Sequence, residues 1–189
     1  MTTSKLALAL ILSAVIPAVS LAAAPPSWVM DRSSSKLTFE SGYGGVPVEM
    51  TAKRWDAQIA FDPKALGASK AVITIESASI LSGNDTYDQH FPEAEWWDTV
   101  KFPKATYVTS GFTSLGGDKY RAEGVLTVKG VSQSVTLPFT LTTTGDQAKM
   151  NAETTLHRQD FHIGNGDENV TGVPLDVTVK INLTAHKAP

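Results

Sequence analysis

The residues best suited to acid–base chemistry lie close together in one segment of the sequence. Asp88 and His90 are separated by a single residue, and a carboxylate beside an imidazole can act as a general acid and base. One hypothesis is therefore a small hydrolase or isomerase. No nucleophile motif or oxyanion-binding pattern accompanies the pair, so the sequence predicts no catalytic residue.

A second pair of histidines, His157 and His162, lies near the C-terminus. On an extended strand, a separation of five residues points the two imidazoles to opposite faces, which disfavours a shared metal ion. The sequence also contains no cysteine, no G-x-S-x-G, no H-E-x-x-H and no P-loop. We therefore expect no metal site and no cofactor.

The acid–base pair lies in a polar segment, residues 81–103, which we call the insertion and which is unusually aromatic. It carries Trp96 and Trp97 side by side, with Phe91 and Phe102 around them. Each indole gains from burying about 150–250 Å² of surface, so adjacent indoles in a polar segment need an apolar surface to cover. Two roles stay open: a structural plug at one end of the fold, or the wall or lid of a hydrophobic site.

The overall composition is that of one globular domain. The chain has 189 residues, of which 42% are hydrophobic and 19% are charged, and its formal net charge is −3. A mildly acidic chain lacks the basic surface that nucleic acids require. DNA and RNA are therefore excluded as expected partners.

Residues 1–22 have the pattern of a secretory signal peptide. A lysine near the start precedes an apolar run over residues 6–16, and small residues at Ser20 and Ala22 suit the peptidase. The apolar run is shorter than the roughly 20 residues that a transmembrane helix needs. We expect cleavage after Ala22, which leaves residues 23–189 as a single exported domain, most simply in the periplasm.

Alternating apolar and polar residues dominate the rest of the chain and predict antiparallel strands. The clearest run covers residues 173–183, and residues 105–156 predict a four-stranded meander with glycine-containing turns. Between residues 48 and 61 the apolar parity changes near Lys53, which predicts a bulge in a long, bent strand. Residues 92–98 begin with a proline and acidic residues, and they predict one short helix.

Strands with a single apolar face must bury that face in a barrel or a sandwich. Long strands, a bend and a simple meander favour the barrel. We therefore predict an all-β fold, an antiparallel eight-stranded barrel with one short helical insertion. Such a barrel is filled by its own side chains or holds a ligand, and small inward residues such as Ala122 and Gly124 permit a cavity.

Four sequence motifs follow one another in an order that is typical of one family. Residues 28–39 contain W-V-M-D and S-K-L-T-F, and residues 54–63 read R-W-D-A-Q-I-A-F-D-P. Residues 88–107 contain D-Q-H-F, W-W-D and F-P-K-A-T-Y, and residues 124–132 read G-V-L-T-V-K-G-V-S. With these motifs, which cover nearly the whole exported chain, the sequence resembles the YceI-like family of polyisoprenoid-binding proteins.

The resemblance implies a lipocalin-like barrel whose interior holds the tail of a long isoprenoid or a related amphiphile. It also implies a periplasmic location and no catalytic residue, and some relatives are associated with membrane b-type cytochromes. Tyr87 stands where the family usually has an arginine before Asp88, and Phe91 replaces a leucine. The missing arginine disfavours an anionic, pyrophosphate-like head group and favours a quinone or another weakly polar one.

The leading hypothesis is a periplasmic protein that sequesters or carries a long isoprenoid lipid in a hydrophobic barrel interior. One alternative is a small hydrolase or isomerase that acts on an amphiphile at the barrel mouth. Another is a filled barrel that acts as an interaction partner of a membrane b-type cytochrome. The sequence leaves a homodimer open. Asp88 and His90 are predicted to contact the head group at the mouth. The predicted walls of the pocket are Phe39, Trp55, Ile59, Phe61, Ile75, Phe91, Trp96, Trp97, Phe102, Leu126, Phe139 and Phe161.

Overall fold

The structure is a computed structural model that describes residues 24–164 and 172–189, so the predicted signal peptide lies outside the described residues. The strand segments of the described chain are β1 (Ser27–Met30), β2 (Lys36–Tyr43), β3 (Val46–Ala52), β4 (Trp55–Ala60), β5 (Lys70–Glu76), β6 (Ile80–Leu81), β7 (Lys104–Gly116), β8 (Lys119–Val128), β9 (Val131–Thr144), β10 (Gln147–His157) and β11 (Asp176–Lys187). A single α-helix of this part of the chain, α1 (Asp85–His90), lies between β6 and β7. No helix among the described residues is long and apolar enough to cross a membrane.

These segments form one antiparallel sheet that closes on itself. β11 pairs with β2 along its first half and with β1 along its last residues. On the next strand, β3 pairs with β2 and β4 pairs with β1. On the strand after that, β6 pairs with β3 and β5 pairs with β4. The first six segments therefore make three interrupted strands of the barrel: β1 with β2, β3 with β4, and β5 with β6. Together with β7 to β11 they make an eight-stranded barrel, which confirms the predicted fold class.

The meander is confirmed as well. β7, β8, β9 and β10 are successive neighbours in the sheet. The β8–β9 hairpin turns at Lys129 and Gly130, whose φ angles are 52° and 77°. Two consecutive positive φ angles match the twist of a tight hairpin.

The predicted bend near Lys53 is present, and a buried serine holds it. Between β3 and β4 the chain leaves the sheet, and Ser79, only 1% exposed, supplies the missing hydrogen bonds. The N–H of Lys53 donates to the Ser79 carbonyl at 2.9 Å, and the N–H of Arg54 donates to Ser79 Oγ at 2.9 Å. Ser79 Oγ in turn donates to the carbonyl of Glu76 at 2.7 Å.

The barrel interior divides into a packed half and a hollow half. The packed half contains an aromatic cluster whose neighbouring ring centroids lie 5.1–6.2 Å apart. The members of the aromatic cluster are Phe61, Phe112, Tyr120 and Phe139. It lies at the end of the barrel where the β7–β8 and β9–β10 hairpins turn. Because the strands are antiparallel, the insertion and the β8–β9 hairpin lie at the opposite end, over the hollow half.

Candidate functional site

The hollow half contains a cavity of about 540 Å³, within the range of about 300–1,000 Å³ that is usual for small-molecule sites. Its walls are mostly aliphatic, because the inward faces of β2, β3, β5 and β8 to β11 carry valine, leucine, isoleucine and methionine here. On these strands the aliphatic wall residues are Leu37, Val48, Met50, Ile73, Ile75, Leu126, Val128, Val135, Leu137, Leu156, Val177, Val179 and Ile181.

The cavity ends where the aromatic cluster begins. On β9, Leu137 lines the cavity, and Phe139, two residues further on the same face, stacks on Tyr120 of the cluster. On β11 the change comes between Ile181, which lines the cavity, and Leu183, which is buried in the core beyond it. The cluster therefore forms the floor of the cavity.

Tyr107 of β7 lines the cavity and contacts both β8 and β9. Its ring lies over Gly124, where a Cβ atom would come within 2.8 Å of ring carbons, so β8 needs a glycine at this point. The phenol donates to the carbonyl of Val135 at 3.0 Å. Burial, and to a lesser extent the charge of Glu123, raises the pKa of Tyr107 to about 12. The phenol is therefore neutral and holds β7 against β9.

The helix of the insertion begins earlier than the sequence predicts. α1 starts after Asn84, whose side chain accepts hydrogen bonds from the N–H groups of Thr86 and Tyr87. An asparagine at the N-cap accepts hydrogen bonds from the orphan N–H groups of the first turn, whereas a start at Pro92 would put Phe91, which has no side-chain acceptor, at the N-cap. Residues 92–98 form turns instead, so the predicted helix at this position is wrong.

Asp88 anchors the start of the insertion rather than facing the cavity. Its carboxylate accepts from the N–H and the hydroxyl of Ser82, both at 2.7 Å, and from the N–H of Gly83 at 3.1 Å. Burial alone would raise the pKa of Asp88, but these hydrogen bonds outweigh it and lower the pKa below its usual value. Asp88 is not among the described residues that line the cavity, and its contact with a head group stays a prediction.

The paired tryptophans cover the cavity. Trp96 and Trp97 are both half-buried and line it, together with Phe91. Trp97 packs edge to face on Phe39 of β2, with ring centroids 6.0 Å apart. The insertion is thus a wall of the cavity as well as the cover of the barrel end.

The β8–β9 hairpin and the turn after β10 hold the insertion in place. Lys129 Nζ donates to the carbonyls of Glu95 and His162, at 3.2 and 2.8 Å. The N–H of Gly164 donates to the same Glu95 carbonyl at 2.7 Å. Burial lowers the pKa of Lys129 against the opposing effect of Asp98 and Glu95.

The mouth of the cavity combines two tyrosines with a histidine–glutamate pair. Tyr43 of β2 and Tyr87 of α1 pack against each other with centroids 6.0 Å apart. His90 Nδ1 lies 3.0 Å from Glu93 Oε1, and both residues line the cavity. The predicted position of His90 at the mouth therefore agrees with the structure, and its contact with a head group stays a prediction.

Arg158 is a buried residue of the site that the sequence analysis missed. It lines the cavity with 5% exposure and donates to the carbonyls of Ile163, Pro174 and Val173 at 2.7, 3.0 and 3.3 Å. These bonds keep residues 173–174 out of the sheet, so β11 begins at Asp176 rather than at the predicted residue 173. Burial lowers the pKa of Arg158.

Ser41 is a second missed residue, and alternation could have found it. It follows Leu37 and Phe39 at the same parity of β2 and lines the cavity. Its Oγ atom is buried, and no hydrogen-bond partner reaches it among the described residues. A buried hydroxyl without a partner is costly, so a rotation of the side chain that brings this hydroxyl to a polar atom of a bound molecule would be favourable.

Seven of the predicted wall residues lie in the lining of the cavity, and their contact with a ligand stays a prediction. They are Phe39, Ile75, Phe91, Trp96, Trp97, Leu126 and Phe161.

The other five predicted wall residues are not among the described residues that line this cavity: Trp55, Ile59, Phe61, Phe102 and Phe139. Phe61 and Phe139 belong to the aromatic cluster. Trp55 and Ile59 lie on β4, which runs towards that cluster. Phe102 packs against Gly130 of the β8–β9 hairpin. Alternation shows which face of a strand points inward, but it does not show the height along the barrel at which a side chain lies.

The acidic and histidine side chains that are close in the sequence have other bonding partners in the structure. Asp88 bonds to Ser82 and Gly83, and His90 bonds to Glu93, so the proposed acid–base pair is not hydrogen-bonded in the described structure. His157 pairs with Asp176 at 2.6 Å. Among the described residues, no group of three His, Asp or Glu side chains could hold a metal ion.

An eight-stranded antiparallel barrel with an apolar cavity under a short helical insertion defines the class of protein. The YceI-like domain family matches residues 28–185, and the chain belongs to this family. A UPF0312 protein of Pseudomonas putida is 30% identical over 136 residues, which cover 69% of this chain and 71% of the relative.

Solved structures with a similar fold include one from Burkholderia cenocepacia and one from Saccharophagus degradans. BcnA of Burkholderia cenocepacia has a TM-score of 0.78 at 31% identity, over 82% of this chain and 98% of BcnA. A domain from Saccharophagus degradans, described as polyisoprenoid-binding and implicated in plant cell wall breakdown, has a TM-score of 0.70 at 14% identity, over 86% of this chain and 99% of the domain.

Proposed function

We propose that this protein binds an isoprenoid lipid by enclosing its tail in the hollow half of the barrel. The observation that carries the proposal is an aliphatic cavity of about 540 Å³ that two half-buried tryptophans cover. Removing apolar surface from water is favourable by about 25 cal/mol per Å², so enclosure alone keeps such a tail in solution. The polyisoprenoid-binding description of the Saccharophagus degradans domain supports this ligand class.

The head group is weakly polar, as in a quinone or a prenyl alcohol. Glu93 lies at the mouth and opposes an anionic phosphate, and Tyr87 supplies no charge to hold one. Three donors of Arg158 are already bonded to backbone carbonyls. The hydroxyl of Ser41 is left to bond a carbonyl or hydroxyl of the ligand.

The protein acts as a carrier or a store rather than as an enzyme. The cavity argues against a barrel filled by its own side chains, because such a barrel has no space for a tail. The apolar start of the sequence supports export to the periplasm. Association with a membrane b-type cytochrome stays a prediction of the family resemblance, and a homodimer stays open.

The test is ligand extraction and titration on the protein purified from the periplasm. We expect a stoichiometric isoprenoid lipid that survives dialysis, and we expect the emptied protein to bind a prenyl quinone more tightly than a prenyl phosphate with the same tail. Protein that yields no lipid and takes up neither ligand would contradict the proposal. Ser41→Ala should reduce the preference for the quinone, whereas Ser110→Ala on the outer face should not change it.

A further inference from the structure

A lip without charged residues borders the mouth of the cavity. The lip consists of residues 41–48, which form the β2–β3 hairpin with the strand ends beside it, and residues 172–175, which precede β11. The N–H of Gly44 donates to the carbonyl of Gly172 at 3.0 Å and joins the two segments. Residues of both segments also line the cavity: Ser41, Gly42, Tyr43, Val48 and Val173. The apolar surface of the cavity therefore continues onto the outside of the protein.

The lip exposes three large apolar side chains. Tyr43 is 48% exposed, Val46, which is paired with it across the hairpin, 62%, and Leu175 42%. At the opposite end of the barrel, Leu115 is 52% exposed on the β7–β8 hairpin, where charged residues follow it at positions 118 and 119. A single exposed apolar side chain is ordinary on a protein surface. Three of them on an uncharged rim beside a cavity indicate a binding surface.

The acidic residues that adjoin the lip are paired within the fold. Glu49 follows the first segment, and its carboxylate lies 2.9 Å from Lys36 Nζ. Asp176 follows the second segment, and its carboxylate lies 2.6 Å from His157 Nδ1. The lip itself includes no lysine or arginine that could bind an anionic group. It is therefore suited to an apolar partner whose surface carries no net charge.

A lipid bilayer fits this surface better than a second protein does. Specific protein interfaces bury about 800 Å² per partner, and three partly exposed side chains supply far less. A bilayer needs no complementary shape, because its hydrocarbon accepts any apolar side chain that reaches it. Tyr43 adds to the fit, since the ring and hydroxyl of a tyrosine suit the boundary between hydrocarbon and water.

We propose that the lip docks on a bilayer surface with zwitterionic head groups, so that the mouth of the cavity opens onto the lipid. Val46 and Leu175 then enter the head-group region, and the Tyr43 hydroxyl stays at the water boundary. This inference adds a membrane-contacting surface to the proposed function. A lipid that moves along the docked lip passes between bilayer and cavity with little exposure to water.

The experiment is sedimentation of the protein purified from the periplasm with phosphatidylcholine vesicles that contain no isoprenoid. The wild type should sediment with the vesicles, and added salt should change the bound fraction by less than about twofold, because no charges are paired on docking. Val46→Ser combined with Leu175→Ser should weaken the partitioning by at least about tenfold. Leu115→Ser is the matched control, an exposed leucine at the opposite end, and should bind as the wild type does.

A wild type that stays in the supernatant overturns the proposal, and so does a lip variant that binds as tightly as the wild type. Binding that requires phosphatidylglycerol in the vesicles and disappears in salt overturns it as well. A wild-type dimer in solution that the lip variant dissociates would show that a second copy covers the lip, which also overturns the proposal. Because the vesicles contain no isoprenoid, each of these outcomes leaves the proposed function to its own extraction and titration test.

Discussion

On β9, Leu137 and Phe139 point to the same side of the sheet, yet Leu137 faces a cavity and Phe139 is packed among three other rings. The same strands thus build a hollow half and a packed half. The difference lies in side-chain volume. Four aromatic rings meet at one end of the barrel, and at the other end aliphatic side chains of similar polarity do not reach across it.

The two ends also differ in how they are closed. The packed end is closed by its own rings and by Trp28, whose Nε1 donates to the carbonyl of Phe61 at 3.0 Å. The hollow end is closed by the insertion, which Lys129 and Gly164 hold through the Glu95 carbonyl. A barrel can therefore have one stable end and one binding end without any change in the alternation of its strands.

The largest effect is expected from a charge in the hollow half. Leu126→Arg places an unpaired guanidinium in an apolar wall, where burial is very costly, so folding or all ligand binding should be lost. Thr127→Lys is the control, because Thr127 lies on the other face and loses only a hydrogen bond to Ser132. Ligand titration and a denaturant melt measure both, and equal tolerance at the two positions would refute the assigned inner face.

A ring removed from the packed half should cost more stability than one removed from the hollow half. Phe61→Ala should lower the free energy of unfolding by about 3–5 kcal/mol, as large core truncations do. Phe39→Ala should cost less, about 2 kcal/mol, because the cavity already leaves part of its ring without packing partners. Denaturant melts of the empty protein give both values. Equal losses would remove the distinction between the halves.

The tryptophans decide whether the insertion is mainly a plug or mainly a wall. Trp97→Ala should weaken binding of a prenyl quinone by at least about tenfold, while the free energy of unfolding falls by less than about 2 kcal/mol. Binding to the wild type should shift the indole emission to the blue. Trp28→Ala at the packed end is the control and should reduce stability with little change in affinity. A large stability loss in Trp97→Ala with unchanged affinity would support the plug.

The smallest effect concerns the anchor of the insertion. Because the pKa of Asp88 is lowered in the folded protein, its contribution to stability is present above the unfolded value of 3.8 and is lost as the pH falls through the folded value. Asp88→Asn should therefore cost about 1 kcal/mol at neutral pH, and this cost should shrink progressively as the pH falls below 3.8. A series of melts from neutral pH to below 3.8 tests this, with Asp85→Asn as the control outside these hydrogen bonds. A cost that stays constant over the whole series would contradict the carboxylate's role.

The family, the barrel, the meander and the bend at Lys53 follow from the sequence, because each depends on local alternation, on turn residues or on motif order. The helix at α1 and the start of β11 do not. Both depend on single polar contacts, the cap of Asn84 and the hydrogen bonds of Arg158, that compete with the local pattern.

By itself, the sequence determined which side chains face inward, since alternation in a strand has a period of two. Only the tertiary structure decided how far along the barrel each of them lies and whether its neighbours fill the space. That is why Phe61 and Phe139 were expected in the cavity wall and are found in the floor, and why Ser41 and Arg158 were overlooked. Cavity volume depends on side chains that meet across the barrel from distant strands, and such meetings are fixed by register and closure, which no local pattern encodes.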